Sequence, residues 1–458
     1  MKIVKSQGVT ETERLLVDLC EQTFLNLWSF PNPYKEDGKE LCDLLVVFER
    51  TAIVFFDREK ALDTEQGNDA GDVAWRRWRR RVIDAQAKTA HGAERYLRSG
   101  KCIYLDSQLK TPLPRGSNDS FDVVHKVVVA HGAEDACKAA SDQNVAGSLA
   151  IAYGETREYV IQFPFFLDLD KQNPIHVFDS HNLPIVLKEL DTVWDFTDYL
   201  NAKSKAIAQL DGLVYCGEED LLAHYFLNYD EDANKHRIGT DDPSISFVMV
   251  GEGEWHDFER SDVYKRTRQA NEISYLWDRL IQYTGKIALA GRSIGVSPLV
   301  AGRSAIHEMA KEPRFSRRAL SEHMDAAIRN FPAAAGKSAR NLSVMSSFYG
   351  EKRYVFLQLR APKHMRKRKD FREVRQSMLE IACGVVKTRF PAVQWVVGIA
   401  VDPPKFSRKM SEDFLLMDCT DWSDEKAAHY LEANKVLGFL ESGAQWIEKH
   451  ATRFVPRS

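Results

Sequence analysis

The chain has 458 residues, 44% hydrophobic and 28% charged, with 63 Lys and Arg against 66 Asp and Glu for a net charge of -3. That composition excludes global disorder, and the near-balance of charge excludes a chain that coats nucleic acid by its overall charge, so any anion-binding surface must be a local patch. Seven scattered cysteines, none spaced as C-x-x-C, read as reduced, buried thiols rather than a disulfide frame or a zinc ribbon. No run approaches the ~18 consecutive apolar residues of a membrane span, and the first residues hold no apolar signal segment. A soluble, cytoplasmic protein without a membrane partner is the expectation.

The spacing of Leu15, Leu16, Leu19, Phe24, Leu25 and Trp28 predicts an amphipathic helix over 10–28, capped by Thr10 or Thr12 and stopped by Pro31-Asn32-Pro33. Two nearly continuous apolar runs, 41–48 and 52–56, predict a hairpin of central strands with a turn at Glu49 and Arg50. A helix follows over 75–97, then short strands at 102–105 and 123–129, and a strand-rich stretch over 149–178. Helical patterns at 185–208 and 221–226 lead into a polar loop over 228–244. Beyond it come helices at 270–284, 298–311 and 316–329, a strand at 353–359, a helix at 370–388, a strand at 393–401 and a last helix at 424–448. Alternating strands and helices predict an α/β protein with mixed or parallel sheets. The polar loop divides it into an α/β domain over 1–245 with a strand-rich extension and a second, mixed α/β domain over 246–458.

The densest chemistry lies in 38–60, which reads GKELCDLLVVFERTAIVFFDREK. Asp43 stands at the start of one apolar strand and Asp57 at the end of the next. A carboxylate is costly in such a setting unless it is paired or binds a metal. Two carboxylates at adjacent strand ends suit a hard divalent cation, Mg²⁺ or Mn²⁺, which takes oxygen ligands and keeps some of its water. With a nearby lysine, that is the chemistry of metal-assisted phosphodiester hydrolysis.

These residues resemble the PD-(D/E)xK, restriction-endonuclease-like nucleases, in which a helix bearing a Glu precedes two strands, the first supplying an Asp and the second ending in acidic-x-Lys. The segment GKELCDLLVVF also resembles a group of uncharacterised bacterial proteins. The resemblance implies a nuclease-like α/β core in roughly the first 200 residues, with Asp43 and Asp57 as metal ligands, Glu40 as a further acid, and Glu13 or Glu21 as the helix acid. It also implies DNA as the substrate and a setting in bacterial defence. The chain departs from the pattern where it matters: the second strand ends Phe56-Asp57-Arg58-Glu59-Lys60, without a literal acidic-x-Lys. Arg58 is a poor proton-transfer group because its pKa stays above about 12. Lys60 is therefore the expected catalytic lysine, curled back toward Asp43 and Asp57, with Arg58 on a flanking phosphate.

A second cluster, Trp75 to Arg81, places Arg76, Arg77, Arg79, Arg80 and Arg81 on one helix. Their guanidinium groups suit phosphate oxygens, and the competing reading pairs them with Asp69, Asp72 and Asp84. A basic run over 363–369 reads as a solvated loop, with a phosphate contact as the alternative. Ser293 sits in a G-x-S-x-G match, but Pro298 falls in the helix that a nucleophile elbow requires. Gly336-Lys337-Ser338 lacks the first glycine of a P-loop. His125 and His131 flank one strand about 20 Å apart, too far to share a metal, and read as ordinary strand-end residues. The expected function is a metal-dependent, nuclease-like protein acting on DNA, with self-association into a homo-oligomer left open. The alternatives are an inactive nucleic-acid-binding or assembly module and a serine hydrolase using Ser293.

Overall fold

The structure is a computed structural model that describes residues 5–62, 68–113, 120–141, 146–154, 165–230, 235–240, 242, 244–289, 299–333, 338–368, 370–406 and 412–441. For 68–72, 286–289, 299–303 and 363 it describes the backbone alone. The chain is mixed α/β and forms two compact units, one within Val4–Lys265 and one within Arg266–Ser458. The first unit runs past residue 245 because Phe247–Val250 pairs in parallel with Gly212–Cys216. Among the described residues no helix is long and apolar enough to cross a membrane. All seven cysteines are free, and all but Cys102 are buried.

In the first unit a capping box starts the helix Glu11–Phe24: Thr10 Oγ1 accepts from the Glu13 amide, and the Glu13 carboxylate answers the Thr10 amide. The helix is shorter than its apolar pattern, because Leu25 takes a positive φ of 62° and turns the chain into the strand Ser29–Pro31. Leu16, Val17, Cys20 and Phe24 are buried, and Phe24 meets Phe196 and Phe55 with ring centroids 5.1 and 6.3 Å apart. Burying one such phenyl ring contributes about 2–3 kcal/mol, which fixes the helix on the sheet with its first turn at the site described below.

The central sheet has the order Ser29–Pro31, Leu44–Phe48, Thr51–Glu59, Val123–His131, His176–Asp179. Its first two pairings are antiparallel and its last two parallel. The expected hairpin is present, and its second strand runs three residues beyond 56, to Glu59, because the parallel ladder with Val123–His131 carries the polar end, Asp57 opposite Val129 and Glu59 opposite His131. Parallel neighbours need a long crossover. Here it contains Asn68–Arg79 and Ala85–Arg98, joined by a π-helical turn at Arg80–Asp84. The strand-rich stretch resolves into Ala150–Gly154, Phe166–Leu169 and His176–Asp179, the first two belonging to a second, four-stranded sheet with Gly212–Cys216 and Phe247–Val250. The pattern over 185–208 is two helices, Asn182–Glu189 and Val193–Gln209, the second capped by Thr192.

The second unit holds a sheet in the order Ala339–Ser346, Lys352–Arg360, Trp395–Val401, Glu412–Asp418. The middle pair is parallel, and Phe371–Arg389 is the helix of its crossover. Val355, Leu357, Leu379, Cys383, Val386 and Val396 are fully buried between helix and sheet. The helices Tyr275–Leu289, Leu299–Ala310 and Arg314–Arg329 follow the expected pattern. Asp278 ties two of them, accepting from Arg314 and Arg317 at 2.6 Å each. Arg375 is wholly buried and bridges Asp402 at 3.1 Å and Asp413 at 2.6 Å.

Candidate functional site

The two carboxylates singled out by the sequence meet at one end of the central sheet. Asp43 is tied into the hairpin by its backbone, its amide donating to the Phe55 carbonyl at 3.1 Å and its carbonyl accepting from the Asn32 amide at 2.9 Å. Its Oδ2 accepts from the Asp57 amide at 2.5 Å. The first carboxylate therefore caps the strand that carries the second. Asp57 is nearly buried, its side chain 2% exposed. Its Oδ2 takes the hydroxyl of Thr12, from the first turn of the amino-terminal helix, and its Oδ1 lies 2.7 Å from Nε2 of His131.

The contacts continue outward. His131 Nδ1 lies 2.7 Å from Ser180 Oγ, and that hydroxyl donates to Glu134. Glu134 in turn accepts from the Gly132 amide at 2.9 Å. Gly132 has a φ of +92°, and a Cβ there would meet the Lys60 carbonyl oxygen at 2.3 Å, so only glycine lets this turn lie against the end of the neighbouring strand. Because Ser180 donates to Glu134, it accepts from His131 Nδ1–H. The imidazole thus faces Asp57 on one side and a hydroxyl already committed as a donor on the other, which favours the doubly protonated ring.

The electrostatics follow from this crowding. Burial pushes the Asp43 carboxyl up to about 7, and the charges of Glu13, Glu40 and Asp57 push the same way against the hydrogen bond from the Asp57 amide. For His131, burial opposes the charged ring, but the hydrogen bond and charge of Asp57, with Glu134 and Glu59, outweigh it and raise the pKa. Glu13 and Glu40 are thus electrostatic neighbours of Asp43. Glu40 is exposed and accepts from Asn32 Nδ2 at 2.6 Å, and Glu13 holds the Val9 amide at 2.6 Å.

Lys60 does not join this group. It is exposed and forms no ion pair with Asp43 or Asp57; its carbonyl accepts from Trp78 Nε1 at 2.8 Å, and its amide donates to the His131 carbonyl at 3.3 Å. Arg58 is also exposed. The basic side chain in contact with Asp57 is His131, backed on its far side by Ser180 and Glu134, while Thr12 holds the other oxygen of Asp57. The signal for His131 was its place at the end of an apolar strand, and only the parallel register shows which acid it faces.

Trp78 carries the arginine helix to the same strand end. Its ring stacks on Trp75 at 5.1 Å and 13°, and Trp75 packs edge-on against Phe165. Arg76, Arg77, Arg80 and Arg81 are exposed, whereas Arg79 is half-buried and donates to the Asp168 carbonyl at 2.8 Å, with Asp84 at 3.7 Å. Among the described residues Arg77, Arg80 and Arg81 have no acidic partner. Pairing with Asp84 therefore accounts for Arg79; the side chains of Asp69 and Asp72 lie outside the described residues. In the other basic run, Arg366 pairs with Asp402 at 2.5 Å and Arg368 with Asp370 at 2.6 Å. Ser293 and most of the Gly336-Lys337-Ser338 match lie outside the described residues.

Asp43 and Asp57 offer oxygen donors of the kind a hard cation takes. Among the described residues no group of three or more His, Cys, Asp and Glu side chains stands together as a metal site, so a cation here would be held by this pair and water. No family model, no curated protein and no solved structure matches the chain.

Proposed function

We propose that the first unit is a nuclease-like module that hydrolyses phosphodiester bonds in DNA with Mg²⁺ or Mn²⁺ held at Asp43 and Asp57. The observation that carries the reading is the placement of the two hairpin acids at one strand end: Asp43 Oδ2 accepts from the Asp57 amide at 2.5 Å, and the Asp57 side chain is 2% exposed. Carboxylates that repel one another at a strand end are relieved by a divalent cation, and the order of helix acid, first-strand Asp and second-strand Asp is that of the PD-(D/E)xK pattern. Bound there, the cation would supply Lewis-acid polarisation and a more acidic water.

The chain's own residues supply the rest. Asp43 and Asp57 present oxygens, and Thr12 and His131 fix the orientation of Asp57. His131 takes the place of the missing signature lysine as the positive group beside the acids. The exposed Arg77, Arg80 and Arg81, anchored through Trp78 to the same strand end, suit phosphates flanking the scissile bond. A role in bacterial defence rests on the resemblance alone.

A second reading, an inactive DNA-binding or assembly module, is favoured by one specific fact: both oxygens of Asp57 already have partners, Thr12 and His131. Incubating the purified chain with plasmid and linear DNA, with Mg²⁺ or Mn²⁺ and with a chelator, separates the two. Cleavage that the chelator abolishes supports the nuclease. A salt-sensitive DNA shift without cleavage under either metal supports the binding module.

A further inference from the structure

The second unit carries a pocket unrelated to the acidic site, and its chemistry points to a ligand. The pocket has a volume of about 490 Å³, within the roughly 300–1,000 Å³ typical of small-molecule sites. One wall is the outward stripe of the helix Phe371–Arg389, where Phe371, Val374 and Met378 recur at helical spacing. Leu359, from the strand Lys352–Arg360, and Met365 complete the apolar lining. Two of these side chains are exposed to water, Met365 at 38% and Val374 at 48%. Lining a concave surface, they leave an apolar face for a ligand body to cover.

The polar part of the lining is unbalanced. It holds Arg340, Arg360 and Arg368 against a single carboxylate, Asp370. Arg368 takes that carboxylate in a two-point pair, at 3.0 and 2.6 Å. Arg360 follows Leu359 along its strand and so takes the opposite face, its guanidinium 3.6 Å from the centre of the Phe406 ring. Arg340 is the cation left for the pocket. It lies on the strand Ala339–Ser346, two residues before Leu342, which packs on the core beneath the same helix. Its guanidinium sits 4.9 Å from the centre of the Phe439 ring, and one nitrogen donates to the Leu437 carbonyl. These contacts hold the group in place while leaving most of its donors unused. Among the described residues it has no acidic partner.

We propose that this pocket binds a small organic anion with an apolar body, the anionic group on Arg340 and the body against Leu359, Phe371, Val374 and Met378. A carboxylate, sulfonate or phosphate offers the paired oxygens a guanidinium fork prefers. The volume admits one small body, not a nucleic-acid duplex or a folded partner. The site does not depend on the nuclease reading of the first unit.

The test uses the full chain and the fluorescent anion 1-anilinonaphthalene-8-sulfonate, with uncharged N-phenyl-1-naphthylamine as its control. Saturable binding at one site per chain is expected. Arg340→Gln should weaken the anion roughly tenfold, the loss of one charge-assisted contact, and leave the uncharged probe unchanged. Val374→Glu, at an exposed helix position, should abolish binding of both. Competition by decanoate or by 1-naphthoate then tells an aliphatic from an aromatic body. No saturable binding, binding that survives both substitutions, or displacement by neither acid would overturn the proposal.

Discussion

His131 Nε2 and Asp57 Oδ1 stand 2.7 Å apart between neighbouring parallel strands, with side chains only 9% and 2% exposed. Their registers explain the contact: Asp57 pairs with Val129 and Glu59 with His131, so the imidazole reaches back along the ladder to the acid. A buried carboxylate in contact with a histidine raises that histidine's pKa, and it does so here.

This pair makes the first prediction. The folded pKa of His131 lies above the ordinary 6.5, so its stabilisation is fully present below pH ~6.5 and is lost as pH rises through the raised value. His131→Ala should cost about 2–3 kcal/mol at pH 6, because it leaves a buried acid short of a partner. The cost should shrink by pH 9. Urea unfolding of parent and variant at the two pH values measures it, and an equal loss at both would show that packing, not charge, is what His131 contributes.

Asp43 behaves in the opposite sense. Its carboxyl is raised from 3.8 to about 7, so between those values the folded state binds the extra proton and rising pH destabilises it. Asp43→Asn keeps an acceptor for the Asp57 amide and removes the charge. In chelator, the variant should match the parent near pH 4 and exceed it at pH 8 by roughly 2–4 kcal/mol. Thermal unfolding across that range gives the comparison; a variant less stable than the parent at pH 8 would mean that the carboxylate is better compensated than its neighbours indicate.

His125 provides an acid-side test away from the site. Burial holds its pKa down at about 4 despite the hydrogen bond with Asn201. As pH falls from 6.5 toward 4 the unfolded chain takes up a proton that the folded chain refuses, and stability is lost, by about 3 kcal/mol at most. His125→Gln, which retains a hydrogen-bonding group, should flatten that part of the stability profile relative to the parent. Identical profiles would place the acid sensitivity elsewhere.

The arginine helix predicts a salt effect. Replacing Arg77 and Arg81 by Ala should weaken DNA binding regardless of sequence and flatten the slope of log affinity against log salt by about 0.9 per lost phosphate contact. Arg79→Ala should chiefly lower stability, because that side chain is spent on the Asp168 carbonyl and Asp84. Unchanged affinity and slope in the double variant would remove this helix from the DNA-binding surface.

The hairpin and its two aspartates were legible because 41–48 and 52–56 are apolar runs long enough to be central strands, and a charge at the end of such a run stands out. The arginine helix was legible from its composition, but not its π-helical turn at Arg80–Asp84, which has no residue signature of its own. His131 was visible as a residue and not as a partner, since the pairing of Glu59 with His131 joins segments separated by a whole crossover. Ser180 and Glu134 reach the site by the same long-range route. Two strands of the second unit, Ala339–Ser346 and Glu412–Asp418, escaped notice because both lie at sheet edges and their polar residues blur the alternation. Lys60 looked like the catalytic group from spacing alone, but the ladder continues to Glu59 and leaves Lys60 exposed beyond it.

A cation-dependent nuclease site at Asp43 and Asp57 shows itself in the cleavage of supercoiled plasmid by parent, Asp43→Asn, His131→Gln and Lys60→Ala in Mg²⁺ or Mn²⁺, with folding of each checked by its thermal transition. The parent should nick the plasmid only with the cation, folded Asp43→Asn should not nick it at all, His131→Gln should lose most of the activity and Lys60→Ala little. A folded Asp43→Asn that cleaves as fast as the parent, or a parent that binds DNA and never cuts it under either cation, would rule out a nuclease site at this pair.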